Sequence, residues 1–268
     1  MAFAYSEEIQ IYYDDRGMGE PVILCLPGFT NEHTIFAPLV ERLSADYRVL
    51  AMDLRGHGKS QASDRNFGFA EMAADALAVI EDSGAQSVIP YAQGQLPWVA
   101  IELRKRLRER MPKMIASSWP AITTRGNPLA PGFLAAMEAV QDEARSRETA
   151  EKVVTMFVSG APASVQQQIR NQMLESHGYE MWSRAGREIS AVFAQEGDPL
   201  TALSKLSPPV PVLHVYAQPP APEYLSTQES FARDHPWFHV RRLKGASQFP
   251  TLEVPDETAA VVREFIKE

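Results

Sequence analysis

Short apolar runs alternate with amphipathic stretches through the first 119 residues. Ile9-Gln10-Ile11-Tyr12-Tyr13 alternates as a strand does, and Asp14 to Glu20 carries the Asp and Gly residues of a turn. Pro21 to Leu26 is a continuous apolar run, which predicts a strand buried on both faces of a parallel sheet. Ile35, Phe36, Leu39, Val40 and Leu43 then mark one helical face, and Tyr47 to Met52 the next strand. A helix is expected over Phe69–Gly84, with Met72, Ala76, Val79 and Ile80 inward and Gly84 as its C-cap. Val88–Tyr91 reads as a strand, Trp98–Arg110 as a helix and Met114–Trp119 as a further strand.

Between Pro120 and Ser207 this alternation stops, and helical segments are expected at Gly132–Ser146, Ala150–Val158, Ala163–Leu174 and Met181–Phe193. After Pro208-Pro209 the chain resumes with a strand at Pro211–Tyr216, an edge strand at Phe238–Leu243 and a closing helix at Thr258–Lys267. The expected organisation is an α/β core domain from residues 1–119 and 208–268. Residues 120–207 form a helical cap inserted over the carboxyl ends of the strands.

Composition narrows the class without naming a chemistry. The 268 residues are 45% hydrophobic and 22% charged with a net charge of −8, and no basic stripe suits a nucleic acid. Arg104-Lys105-Arg106 alternates with Leu and Glu as a solvated helix face does. Cys25 is the single cysteine and lies in an apolar run, so no intrachain disulfide is expected. The first ten residues lack the basic and apolar regions of a signal peptide, and no apolar run approaches the ~20 residues of a membrane span. A cytoplasmic location is the resulting expectation.

The chemistry should lie at the strand–turn–helix Ser87 to Trp98. In α/β-hydrolases this turn carries G-x-S-x-G with a nucleophilic Ser at its apex, whereas here the apex is Gly94 between Gln93 and Gln95. Together with Leu26-Pro27-Gly28-Phe29 and Asp53-Leu54-Arg55-Gly56-His57-Gly58-Lys59-Ser60, this turn resembles the α/β-hydrolase superfamily. The implied fold is an α/β-hydrolase fold with a mostly parallel central sheet flanked by helices. In that reading Asp53, Arg55 and His57 are structural.

A narrower resemblance rests on Trp98 to Leu103, Tyr179 to Arg187, Gln218 to Tyr224, Phe231 to Phe238 and Phe249 to Asp256. These segments are similar to the cofactor-independent dioxygenases of 3-hydroxy-4-oxoquinolines and 3-hydroxy-4-oxoquinaldines. The resemblance implies an enzyme using neither metal nor flavin, in which a His/Asp pair deprotonates the substrate and the anion reacts with O₂. The chain departs from it at the reacting groups. The nucleophile position is Gly94, the family His is Gln248, the acid before Trp119 is Ser118, and the other acid position offers Gln218. A histidine of the oxyanion loop is Asn31, with His33 two positions on, and the cap tryptophan corresponds to Phe157.

Loss of Ser, His and Asp disfavours acyl transfer. Backbone N–H groups of Phe29 and Gln95 remain available as an oxyanion hole. Gln93, Gln95 and Gln248 can donate hydrogen bonds to an anion, and His33 is the candidate base, against a hydrogen-bonding role in its loop. Phe29, Asn31, Gly94, Trp98, Ser118, Trp119, Phe157, Trp182 and Gln218 are the expected substrate contacts, and no metal ligand set is expected. Each aromatic among them is equally suited to the core.

The expected function is a cofactor-independent oxygenase of an anionic phenolic or enolic polycyclic or heteroaromatic substrate, as in natural-product or aromatic metabolism. The alternatives are a non-oxidative lyase, cyclase or isomerase, or an inactive aromatic-ligand-binding protein. Expected partners are a small aromatic substrate and O₂, with neither nucleic acid nor membrane, and the assembly allowed for is a homodimer.

Overall fold

The apolar runs become the centre of one sheet because a strand between parallel neighbours has both faces covered by helices. A computed structural model describes residues 2–268. The chain runs through β1 (Ala2–Ser6), β2 (Ile9–Arg16) and β3 (Val22–Leu26), a 3-10 turn at His33–Phe36, α1 (Ala37–Leu43), β4 (Val49–Met52) and α2 (Phe69–Asp82). It continues with β5 (Val88–Gln93), α3 (Pro97–Leu107) and β6 (Met114–Ser117). Every residue of β3, β4, β5 and β6 is buried.

The helical insertion follows β6 and comprises α4 (Ala130–Ala139), α5 (Glu143–Phe157), α6 (Ala163–Arg170), a π-helical stretch at Asn171–Glu175, α7 (Tyr179–Glu196) and α8 (Pro199–Ser204). The chain then re-enters the sheet through β7 (Val212–Tyr216), α9 (Pro222–Asp234), β8 (Phe238–Arg242), α10 (Pro250–Glu253) and α11 (Pro255–Lys267). The eight strands lie in the order β1-β2-β4-β3-β5-β6-β7-β8. β1–β2 and β2–β4 are antiparallel, and the remaining pairs are parallel.

One expectation is corrected, and one further element is added. The helix expected over 132–146 breaks at Val140–Asp142, because the Asp142 side chain accepts from the Ala144 N–H and starts α5 there. Residues 222–234, which carry no strong apolar period, form α9 under a proline start. Cys25 is buried, and burial pushes its thiol pKa up. Among the described residues no helix is long and apolar enough to cross a membrane.

The register of β5 on β6 pairs Gln93 with Ser117, which sets Gly94 beside Ser118 at the carboxyl edge of the sheet. The Gly94 N–H donates to the Ser117 carbonyl at 3.0 Å and the Ser118 N–H to the Val215 carbonyl at 2.8 Å. The insertion is tied to this edge at two points. The Gln248 N–H donates to the Phe157 carbonyl at 2.9 Å. Gln172, in the π-helical stretch, donates to Thr34 Oγ1 at 2.7 Å and accepts from the Glu32 N–H at 3.2 Å.

Candidate active site

A narrow cavity lies between the carboxyl ends of β3, β5 and β6 and the helical insertion. This is where open α/β sheets bind ligands. Its floor is polar: Phe29, Thr30 and Asn31 after β3, Gln93 with Gly94 and Gln95 at the turn, Ser118 after β6, and Gln248. Its walls are apolar, with Phe133 and Met137 from α4, Val153 and Phe157 from α5, Met173 from the π-helical stretch, and Trp182 and Ile189 from α7. Among the described residues lining it there is no Asp, Glu, His, Lys, Arg, Cys or Tyr.

Three residues on the floor are held in the left-handed region: Thr30 at φ 66°, Gly94 at φ 62° and Ser118 at φ 45°. Such conformations cost a non-glycine residue about 1–3 kcal/mol and cluster at functional sites. Their supports are visible. The Thr30 N–H donates to His57 Nε2 at 3.1 Å, while His57 Nδ1–H donates to the Arg55 carbonyl at 2.9 Å. This pair of bonds sets the tautomer, and burial lowers the His57 pKa to about 3. Beyond Ser118, the Trp119 N–H donates to His214 Nε2 at 3.3 Å, and His214 Nδ1–H donates to Gln228 Oε1 at 2.5 Å. Burial lowers the His214 pKa to about 4, so this support is also neutral.

The glutamines divide their work. Gln93 Nε2 donates to the Gln248 carbonyl at 2.8 Å, which leaves Gln93 Oε1 buried with no partner. Ser118 Oγ is likewise buried and unpartnered. Gln248 Nε2 donates to the Gln218 carbonyl at 3.1 Å. Gln95 is occupied behind the floor: its Oε1 accepts from the indole N–H of Trp98 at 3.1 Å and of Trp119 at 3.3 Å, and its Nε2 donates to the Pro120 carbonyl at 3.1 Å. The Phe29 and Gln95 backbone N–H groups have no acceptor among the described residues. The turn thus offers two free donors and two free oxygens.

Phe29, Asn31, Gln93, Gly94, Gln95, Ser118, Phe157, Trp182 and Gln248 line one cavity. Four expected site residues do not. His33 points at Asp53, with Nδ1 2.9 Å and its backbone N–H 2.7 Å from Oδ1, and its ring lies against Tyr12, so it is no base for this cavity. Trp98 and Trp119 pack edge to face at 5.2 Å behind Gln95. Gln218 donates to the Gly245 carbonyl at 3.2 Å. The side-chain amides of Gln93, Gln95 and Gln248 each give one of their two N–H donors to a protein carbonyl.

Sequence reasoning missed Thr30, Phe133, Met137, Val153, Met173 and Ile189. The helical period of α4, α5 and α7 marks such positions as inward without showing whether inward means core or cavity. Among the described residues no group of three or more His, Cys, Asp or Glu is placed to hold a metal ion.

A family model described as alpha/beta hydrolase fold matches residues 21–92. A 2-heptyl-3-hydroxy-4(1H)-quinolone dioxygenase of Mycobacteroides abscessus is 32% identical, covering 94% of this chain and 93% of the relative. A 1H-3-hydroxy-4-oxoquinoline 2,4-dioxygenase of Pseudomonas putida is 32% identical, over 97% and 96%. The solved structure of an AqdC variant with its substrate, the Pseudomonas quinolone signal, superposes with a TM-score of 0.91 at 29% identity, over 99% and 98%.

Proposed function

The chain belongs to the family of 3-hydroxy-4-quinolone dioxygenases built on the α/β-hydrolase fold, and from that premise we propose that it is a cofactor-independent oxygenase of a flat, anionic phenolic or enolic heteroaromatic or polycyclic substrate. The observation that carries this reading is the floor of the cavity. The Phe29 N–H after β3 and the Gln95 N–H just before α3 are unengaged donors, suited to an oxyanion, under apolar walls.

The substrate enters as its phenolate or enolate, and its oxygen accepts from the Phe29 and Gln95 N–H groups. These donors neither supply nor remove a proton, so the electron-rich anion persists. O₂ takes one electron from it, and the resulting radical pair combines to form a carbon–oxygen bond. Both oxygen atoms then reside on the substrate, with the negative charge on the distal peroxide oxygen. The apolar contacts of Phe157 and Trp182 hold the ring flat, and the missing side chain at Gly94 lets it approach the turn.

Acyl transfer has no nucleophile here. The Gly94 position carries no hydroxyl, and Ser118, the hydroxyl beside it, has no partner to activate it. Turnover under ¹⁸O₂ with mass analysis of the product tests the proposal. Label from O₂ is expected, two atoms for a dioxygenase and one for a monooxygenase, and an unlabelled product refutes it.

A further inference from the structure

If the cavity is an oxygenase site, as proposed above, its floor says more about the substrate than that it is an anion. Two features have to be matched by any ligand. The first is that nothing lining the cavity titrates. The ionisable groups behind its walls are each engaged or poorly basic. His57 has its Nε2 lone pair taken by the Thr30 N–H. His177, packed against His57 at 4.6 Å between ring centroids, is held neutral by burial, which lowers its pKa to about 4. His33 and Asp53 are hydrogen-bonded to one another, and the Glu32 carboxyl, whose pKa burial raises, is not among the groups lining the cavity. No group here takes a proton efficiently from a weak acid near neutral pH, because a general base works best with a pKa near the working pH.

The second feature is Gln93 Oε1, an acceptor buried without a partner and held there because Nε2 is bonded to the Gln248 carbonyl. Buried acceptors are almost always satisfied. Gln93 lines the cavity, so a water or a donor on the ligand can satisfy it, and a carbonyl or phenolate oxygen cannot. Ser118 Oγ, which both donates and accepts, adapts to whichever ligand atom lies beside it.

We propose that this site takes a vinylogous acid fused to an aromatic ring, a hydroxyquinone or enolised 1,3-dicarbonyl, that arrives already ionised and carries a second hydroxyl or N–H donating to Gln93 Oε1. The acidic oxygen sits on the Phe29 and Gln95 N–H groups, and the second donor reaches Gln93. The site selects its substrate by intrinsic acidity, since it has no means of deprotonating a neutral one.

The test uses the purified full chain and three probes: lawsone, a hydroxynaphthoquinone ionised at neutral pH; a lawsone carrying one further phenolic hydroxyl on its benzo ring; and 3-hydroxy-4-quinolone, neutral at that pH. Affinities are read under argon from the absorbance of the bound anion, and oxygen uptake is followed separately against pH. The ring-hydroxylated lawsone should bind roughly 10-fold tighter than lawsone, and Gln93→Leu should erase that difference. Comparing two ligands on one variant cancels any general damage to the fold. Uptake with 3-hydroxy-4-quinolone should rise with the quinolone's own ionisation, with no limb belonging to the protein and no change in His177→Phe. Gln248→His should raise that uptake roughly 100-fold or more below the quinolone's pKa by adding a base.

Equal affinity for the two lawsones in the wild-type chain, or fast wild-type turnover of the neutral quinolone on a protein-borne pH limb, overturns this inference and leaves the oxygenase reading standing. Anions that bind with this selectivity and never consume O₂ overturn the oxygenase reading instead.

Discussion

Replacing Gly94 by alanine separates the two reasons a glycine can stand at the turn. Its φ of 62° lies in the left-handed region, and a methyl built there meets a single neighbour within 4 Å, Gly28 Cα at 3.7 Å. That is ordinary contact, so the cost to the fold comes from the backbone alone. A left-handed conformation costs an L-residue about 1–2 kcal/mol, and the stiffer unfolded chain offsets about 0.4–1 kcal/mol of it. The net destabilisation is about 1 kcal/mol, which lowers Tm by about 2–4 °C in a domain of this size. The site responds differently, because the methyl enters the space where the ligand ring is proposed to lie. Overfilling a packed site costs about 1–3 kcal/mol, or a Kd raised about 5- to 150-fold. Calorimetry and anaerobic ligand titration on the same preparation read both effects. A Tm loss beyond about 10 °C refutes the open geometry of the turn, and an unchanged Kd refutes the ligand's approach to it.

Other perturbations act on neighbouring contacts. Gln95→Leu leaves the Trp98 and Trp119 indole N–H groups without their shared acceptor; at about 1–3 kcal/mol for each buried orphan, denaturant titration should show a loss of about 2–6 kcal/mol. Gly186→Ala would set a methyl 2.3 Å from the Met137 carbonyl, so α4 and α7 must move apart, costing about 1–3 kcal/mol and loosening the Met137 and Trp182 walls, read as a lower Tm and weaker ligand binding. Burial lowers the pKa of His57 to about 3 and of His177 and His214 to about 4. The unfolded chain therefore binds protons that the folded chain refuses below the ordinary histidine pKa of about 6.5, and each histidine removes up to about 1.4 kcal/mol of stability per pH unit down to about pH 4. Urea midpoints should fall steeply over that window, and a flat profile contradicts the neutral, buried placement of the three rings.

Much of the fold was legible because it rests on periodicity. Continuous apolar runs marked β3 to β6, and the end of the alternation at Pro120 marked where helices begin to insert. The turn at Gly94 was legible as a turn without a nucleophile. Side-chain direction was not. The sequence places His33 two residues from Asn31, yet its backbone N–H and ring both reach Asp53, and a histidine turned one way or the other has the same neighbours in the chain. Trp98 and Trp119 read as cavity aromatics for the same reason, and only the three-way contact with Gln95 shows them behind the floor. The free oxygen of Gln93 was beyond reach from sequence, since it depends on a carbonyl 155 residues away fixing the orientation of the amide.

The proposed function stands on a bound anion reacting with O₂ in this cavity without help from a metal or flavin. To observe that reaction, chelator-treated protein is mixed with an ionised heteroaromatic substrate under argon, and O₂ is then admitted while the absorbance of the bound anion is recorded. The anion band should be stable under argon and collapse on admission of O₂, with one O₂ consumed per product formed. Decay of the band at the same rate under argon, or turnover that begins only when metal or flavin is added, would show that the chemistry is of another kind.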